Sequence, residues 1–205
     1  MRDVIQKVGF KSGFFLVCLG PFAWIIWAII SSGLGTTSIL GANPIEAINR
    51  YLGDWAIRFL LLALAVTPIR QITGWSIIMR FRRMIGLFAF FYVCLHLFSY
   101  IVLDQFFDWQ EIWIDITRRN YITVGMAGFI LLAILAATST NQMIRKLGGK
   151  RWTLLHRLVY PATIFACLHF YMMRKGVQLE PILYSATCAL FLGFRIIIAW
   201  KKKAQ

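Results

Sequence analysis

Acidic side chains are scarce in this chain: eight Asp and Glu stand against 22 Lys and Arg in 205 residues, for a net charge of +14. Histidine is scarcer still, with three, and the four cysteines (Cys18, Cys94, Cys167 and Cys188) form no CxxC pair. Each shortage excludes something. Cysteines that all lie inside apolar runs read as buried thiols, not as a disulfide frame. No GxGxxG follows a strand and no P-loop is present, which excludes a nicotinamide-binding or nucleotide-hydrolysing module. No acid–base pair or activated nucleophile is visible, so nothing marks a substrate-level catalytic site. No basic patch with interleaved aromatics appears, so nucleic acid does not explain the charge.

What the chain has is apolar length. It is 60% hydrophobic and 15% charged, whereas a soluble domain averages about 45–50% and about 25%. Six apolar runs emerge, at about 13–31, 49–68, 83–103, 120–138, 153–173 and 180–200, and each approaches the roughly 20 residues that span a bilayer. Lipid leaves no outside partner for backbone groups, so such runs are helices. The expectation is one all-α, multi-pass membrane domain over 1–205, a bundle of six transmembrane helices. The basic N-terminus resembles a signal peptide, but no A-x-A-like site follows Phe14–Ile30, so that run is expected to remain as the first span. With both termini in the cytoplasm, fourteen Lys and Arg fall inside (among them Arg2, Lys7, Lys202 and Lys203) and five outside (Arg50, Arg118, Arg119, Arg174 and Lys175). That bias fixes the orientation.

The three histidines, His96, His156 and His169, all lie within expected spans. A single histidine there is commonly packing glue between helices. Three together, with none elsewhere, point to function. At 1.5 Å per residue from the cytoplasmic side, His96 is roughly 21 Å deep, His169 about 25 Å and His156 about 6 Å. His96 and His169 therefore share a level near the periplasmic side, on the third and fifth spans. Two histidines on different helices at one depth suit the axial positions of a heme iron. Zinc asks for four ligands and no Asp or Glu lies at this level, while copper stays open through Cys and Met. Bis-histidine heme is the favoured expectation. The tripeptide CLH precedes both sites (Cys94–His96 and Cys167–His169), but residues two apart on a helix diverge by about 200°. The cysteines are therefore expected to pack, not to ligate.

The cytoplasmic level is thinner. His156 has no histidine partner, and Arg82, fourteen residues before His96, faces nearly the same way as His96. Arg82 thus takes the place of a second ligand on the third span, open to a propionate, a flavin phosphate or an unusual second heme site. His156 and His169 are about 140° out of phase on a regular helix. Pro161 lies between them, and a kink there is expected if both are to face inward.

Thr67-Pro68 with Arg70, RRMIGL (Arg82–Leu87) ahead of His96, and WTLLHRLVY (Trp152–Tyr160) followed by His169 resemble the ferric-reductase-like transmembrane family across nearly the whole chain. The resemblance implies a b-type heme, a bound FMN and a place in the bacterial inner membrane. It further implies electrons arriving from a cytoplasmic flavin reductase or the quinone pool. They would leave to a periplasmic molybdopterin methionine sulfoxide reductase subunit, in repair of oxidised proteins. Larger relatives carry four heme histidines and a fused flavin domain, both lacking here. A flavin phosphate asks for cationic donors, which directs the FMN expectation to Arg70, Arg80, Arg82 and Arg83. A transmembrane ferric reductase is the alternative. A transporter is the weaker one, with Asp54, pairing with Arg58 one turn on, as its only acidic foothold.

Overall fold

The computed structural model describes residues 2–33, 39–174 and 178–203, with side chains described for 10–32, 39–174 and 178–201. The cations Arg2, Lys7, Lys175, Lys202 and Lys203 lie outside the described side chains. Among the described residues the regular structure is all helix, with no strand. The helices are α1 (Arg2–Gly33), α2 (Pro44–Thr73), α3 (Arg82–Ser99), α4 (Trp109–Arg118), α5 (Asn120–Ala137), α6 (Asn141–Leu147), α7 (Gly149–Leu155), α8 (Val159–Met173) and α9 (Leu179–Lys203).

Local chemistry sets the boundaries. The Asn43 side chain accepts from the Glu46 N–H while its own amide reaches the Glu46 carboxylate at 3.1 Å, with Pro44 in the first turn of α2. Gly74 closes α2 in the left-handed conformation at φ 74°, donating to the Arg70 carbonyl. Asp108 and Thr140 cap α4 and α6 through their side-chain oxygens. A π-helical segment, Tyr100–Asp104, extends α3. Phe106 and Phe107 then turn the chain at positive φ (45° and 63°) into α4, a conformation uncommon outside glycine.

Among the described residues, five helices are long and apolar enough to cross a membrane: Phe10–Ser32, Pro44–Thr73, Arg82–Asp104, Asn120–Ala137 and Leu179–Lys201. The sixth expected run, 153–173, is not one helix. A 3₁₀ turn at His156–Leu158 divides it into α7 and the 15-residue α8. Pro161 cannot donate to the Arg157 carbonyl, and the break falls just ahead of it. Three residues at about 120° instead of about 100° per step bring His156 and His169 about 60° closer in phase. The connection 104–119 also holds more than a loop. α4 is amphipathic, with Ile112 and Asp115 buried and Trp109 and Trp113 outward, the character of an interfacial segment.

α2 packs most extensively on α3, and α5 on α8, while α9 lies against α8 and α2. Phe59 and Tyr92 stack at 5.2 Å in the α2–α3 seam. The buried Tyr92 hydroxyl enters the backbone ladder of α1 beside Pro21, donating to the Cys18 carbonyl at 2.8 Å and accepting from the Phe22 N–H at 3.1 Å. These hairpins leave an interior space between α2, α3, α5 and α8.

Candidate functional site

That space is a cavity of about 660 Å³, lined by His96, His169, Gly53, Gly125, Phe129 and Leu132 among others. Its volume lies within the roughly 300–1,000 Å³ of small-molecule and cofactor sites. One end is apolar. The other carries Arg50, Asp54, Asp104, Arg119 and the outward Trp109 and Trp113.

His96 and His169 meet across the cavity with ring centroids 6.2 Å apart and planes inclined at 75°. His96 Nδ1 is 2.9 Å from the Asn49 carbonyl and His169 Nδ1 is 2.6 Å from the Tyr121 carbonyl. A carbonyl only accepts, so each Nδ1 carries the proton and each Nε2 keeps its lone pair, the ligating tautomer. Two histidine nitrogens about 2.0–2.1 Å from one metal, with each ring centre about 1.1 Å further back, place the centroids about 6.3 Å apart. The observed separation fits a single metal between the rings. Among the described residues no group of three or more His, Cys, Asp or Glu gathers into an all-protein metal site. Two nitrogen ligands in a large apolar cavity therefore fit a metal whose other positions a flat macrocycle fills.

The second tier of contacts was not visible in the sequence. Asn49 Nδ2 donates to Ser99 Oγ at 3.1 Å and reaches the His96 carbonyl at 3.5 Å, while Ser99 Oγ donates to that carbonyl at 2.8 Å. At the open end, buried Asp115 accepts from the Tyr100 hydroxyl at 2.8 Å and pairs with Arg119 at 2.9 Å. Arg50 pairs with Glu46.

The remaining sequence candidates lie apart from this pair. His156 stacks on Trp152 at 3.9 Å and its Nε2 is 3.4 Å from Thr138 Oγ1, with Arg82 near enough for their charges to interact. Arg82 is half-buried, whereas Arg70, Arg80 and Arg83 are exposed along the α2–α3 connection, and Arg83 donates to Asn141 at 2.6 Å. Cys167 packs with Leu61 and Cys188 behind the lining residues Ile57 and Phe170, and does not itself line the cavity. The expected Asp54–Arg58 pair does not form among the described residues: Arg58 turns to the Tyr184 hydroxyl at 2.9 Å and over the Trp55 ring.

Residues 52–167 match the family described as ferric reductase like transmembrane component. The protein-methionine-sulfoxide reductase heme-binding subunit MsrQ of Rhodospirillum rubrum is 52% identical over 92% of this chain and 88% of its own length. A protein of the same name from Polaromonas naphthalenivorans is 50% identical over 92% of this chain and 84% of its own length. The magnetosome protein MamZ of Magnetospirillum gryphiswaldense is 41% identical over 93% of this chain, which corresponds to 29% of that longer protein.

Proposed function

We infer, from the premise that this chain belongs to the ferric-reductase-like transmembrane family, that it is the b-type-heme membrane subunit that feeds electrons to a periplasmic methionine sulfoxide reductase. The observation that carries the reading is the His96–His169 pair, 6.2 Å apart across the cavity with both Nδ1 atoms on carbonyls. Relatives that match most of their length bear names of heme-binding subunits of protein-methionine-sulfoxide reductase.

When bound, the heme supplies a one-electron couple at the outer level of the membrane. His96 and His169 would hold its iron, with the Asn49 and Tyr121 carbonyls keeping both rings in the ligating tautomer. The apolar walls exclude water, and Arg50 and Arg119, which line the cavity, would offer positive charge to the heme propionates. The chain crosses the bacterial inner membrane six times with both termini cytoplasmic, as its cation bias directs. The α7–α8 segment makes one of those crossings. The donor is a cytoplasmic flavin reductase or membrane quinol, and the acceptor is the molybdopterin catalytic subunit. On the cytoplasmic side, Arg70, Arg80, Arg82 and Arg83 take the phosphate of an FMN, and His156 is the candidate ligand for any second heme.

The test is a reduced-minus-oxidised spectrum of the purified chain, followed by reoxidation on adding the catalytic subunit and methionine sulfoxide. Alpha and Soret bands of b-type heme are expected, lost in His96→Ala and His169→Ala. A chain without such bands would sink the proposal. Reoxidation by ferric chelates but not by the catalytic subunit would favour a ferric reductase instead.

A further inference from the structure

The two histidines sit on helix hairpins that repeat one arrangement. In α2–α3 the Asn49 carbonyl holds His96, 47 residues away. In α5–α8 the Tyr121 carbonyl holds His169, 48 residues away. Four residues after each carbonyl stands a glycine in the helix interior, Gly53 and Gly125. The two CLH copies fall at matching points of the two hairpins.

Helix geometry explains the pairing. A Cβ tilts toward the helix N-terminus, so the side chain at one position overhangs the carbonyl four residues earlier. That carbonyl already receives one helical N–H and has a second lone pair to offer. An imidazole approaching it from a neighbouring helix must pass where that Cβ would project. A Cβ at Gly53 would lie 3.2 Å from both Cε1 and Nδ1 of His96. At Gly125 it would lie 2.7 Å from Nδ1 and 3.0 Å from Cε1 of His169. Other helical glycines lack this crowding: at Gly86 nothing lies within 4 Å, and at Gly128 the nearest atom is Phe165 Cβ at 3.5 Å. Glycine within a helix costs about 1 kcal/mol relative to alanine, so two at these contacts call for a reason.

We propose that Asn49–Gly53 and Tyr121–Gly125 are a matched pair of imidazole seats, each a helix carbonyl opened by a glycine one turn on, which set the tautomer and donor strength of both heme ligands. This rests on the heme reading above and adds what tunes the site. A ring that donates its Nδ1 proton to a carbonyl is a more basic ligand through Nε2. A more basic ligand favours ferric over ferrous iron, so the seats hold the potential down. Gly53 and Gly125 act through the histidines and are positioning residues.

The experiment compares Gly53→Ala and Gly125→Ala with Gly86→Ala and with Gly193→Ala, a glycine of α9 off the cavity lining with nothing within 4 Å of its Cβ position, in the full detergent-solubilised chain. The readouts are heme per protein, the low-spin EPR signal of the ferric form and the midpoint potential. The two controls should match wild type in all three. Gly53→Ala, the milder contact, should retain heme with altered g-values and a raised potential. Gly125→Ala should weaken heme retention, on the scale of the about 10- to 100-fold that lost outer-shell partners cost in metal affinity. If Gly125→Ala does not accumulate in membranes, the spectrum and potential of Gly53→Ala carry the test alone. Wild-type EPR and potential in the seat variants would overturn the seats while leaving the heme site intact. A wild-type chain that never shows b-type bands would overturn the functional reading itself.

Discussion

Arg195 of α9 and Leu64 of α2 are joined by a 2.7 Å hydrogen bond from guanidinium Nη2 to the main-chain carbonyl. Pro68 lies four residues after Leu64 and has no N–H to give, so this carbonyl has lost its helical partner. Lipid supplies no replacement, and Arg195, steadied over the Tyr160 ring at 5.1 Å, fills the place. Arg195→Met should lower thermal stability in detergent by about 1–3 kcal/mol, the cost of an orphaned buried acceptor. In a Pro68→Ala background the helix recovers its own donor and most of that loss should vanish. Strict additivity of the two substitutions in melting experiments would refute the link.

Asn49 clamps His96 twice, through its carbonyl on the ring and through its amide on Ser99 and the His96 carbonyl. Asn49→Leu removes only the second clamp. Heme should still bind, with a stability loss of about 1 kcal/mol, the typical net worth of one hydrogen bond. Complete loss of heme in this variant, equal to that of His96→Ala, would show that the amide does more than latch the backbone.

His156 stands apart from the outer pair, stacked on Trp152 and facing Thr138. His156→Ala should therefore preserve the bis-histidine low-spin EPR signal that His96→Ala and His169→Ala abolish. Loss of that signal in His156→Ala would show that it ligates the same iron. The decisive comparison is the signal of the three variants recorded at equal protein concentration.

Apolar runs made five spans legible in the sequence, because lipid forces backbone bonds inside each segment. Depth along the third and fifth spans singled out His96 and His169 in the same way. The 3₁₀ break at His156–Leu158 was foreshadowed by Pro161 but not located, since a proline disturbs the turn before it. The seats were hidden for a different reason. Asn49 and Tyr121 act through carbonyls, which every residue has, and Gly53 and Gly125 act by lacking a side chain. The available signal was the glycine–histidine register that the two CLH segments share. α4 was missed because ten residues with Trp109, Trp113 and several charges read as a connection until Asp115 is seen buried against Tyr100 and Arg119.

Arg50 and Arg119 bring positive charge to the open end of the cavity, each balanced by a carboxylate, Glu46 and Asp115. Replacing either arginine by glutamine removes one positive charge near the proposed iron. Reduction adds an electron there, so lost positive charge disfavours the ferrous form and the midpoint potential should fall. Both arginines are about half exposed, at 44% and 51%, so salt screens them and the shift should shrink as ionic strength rises. Asp115→Asn acts in the opposite sense: it removes a negative charge beside Arg119, and the potential should rise. Redox titrations of Arg50→Gln, Arg119→Gln and Asp115→Asn at low and high salt test the signs together. A potential that ignores all three would place the propionates away from this end of the cavity.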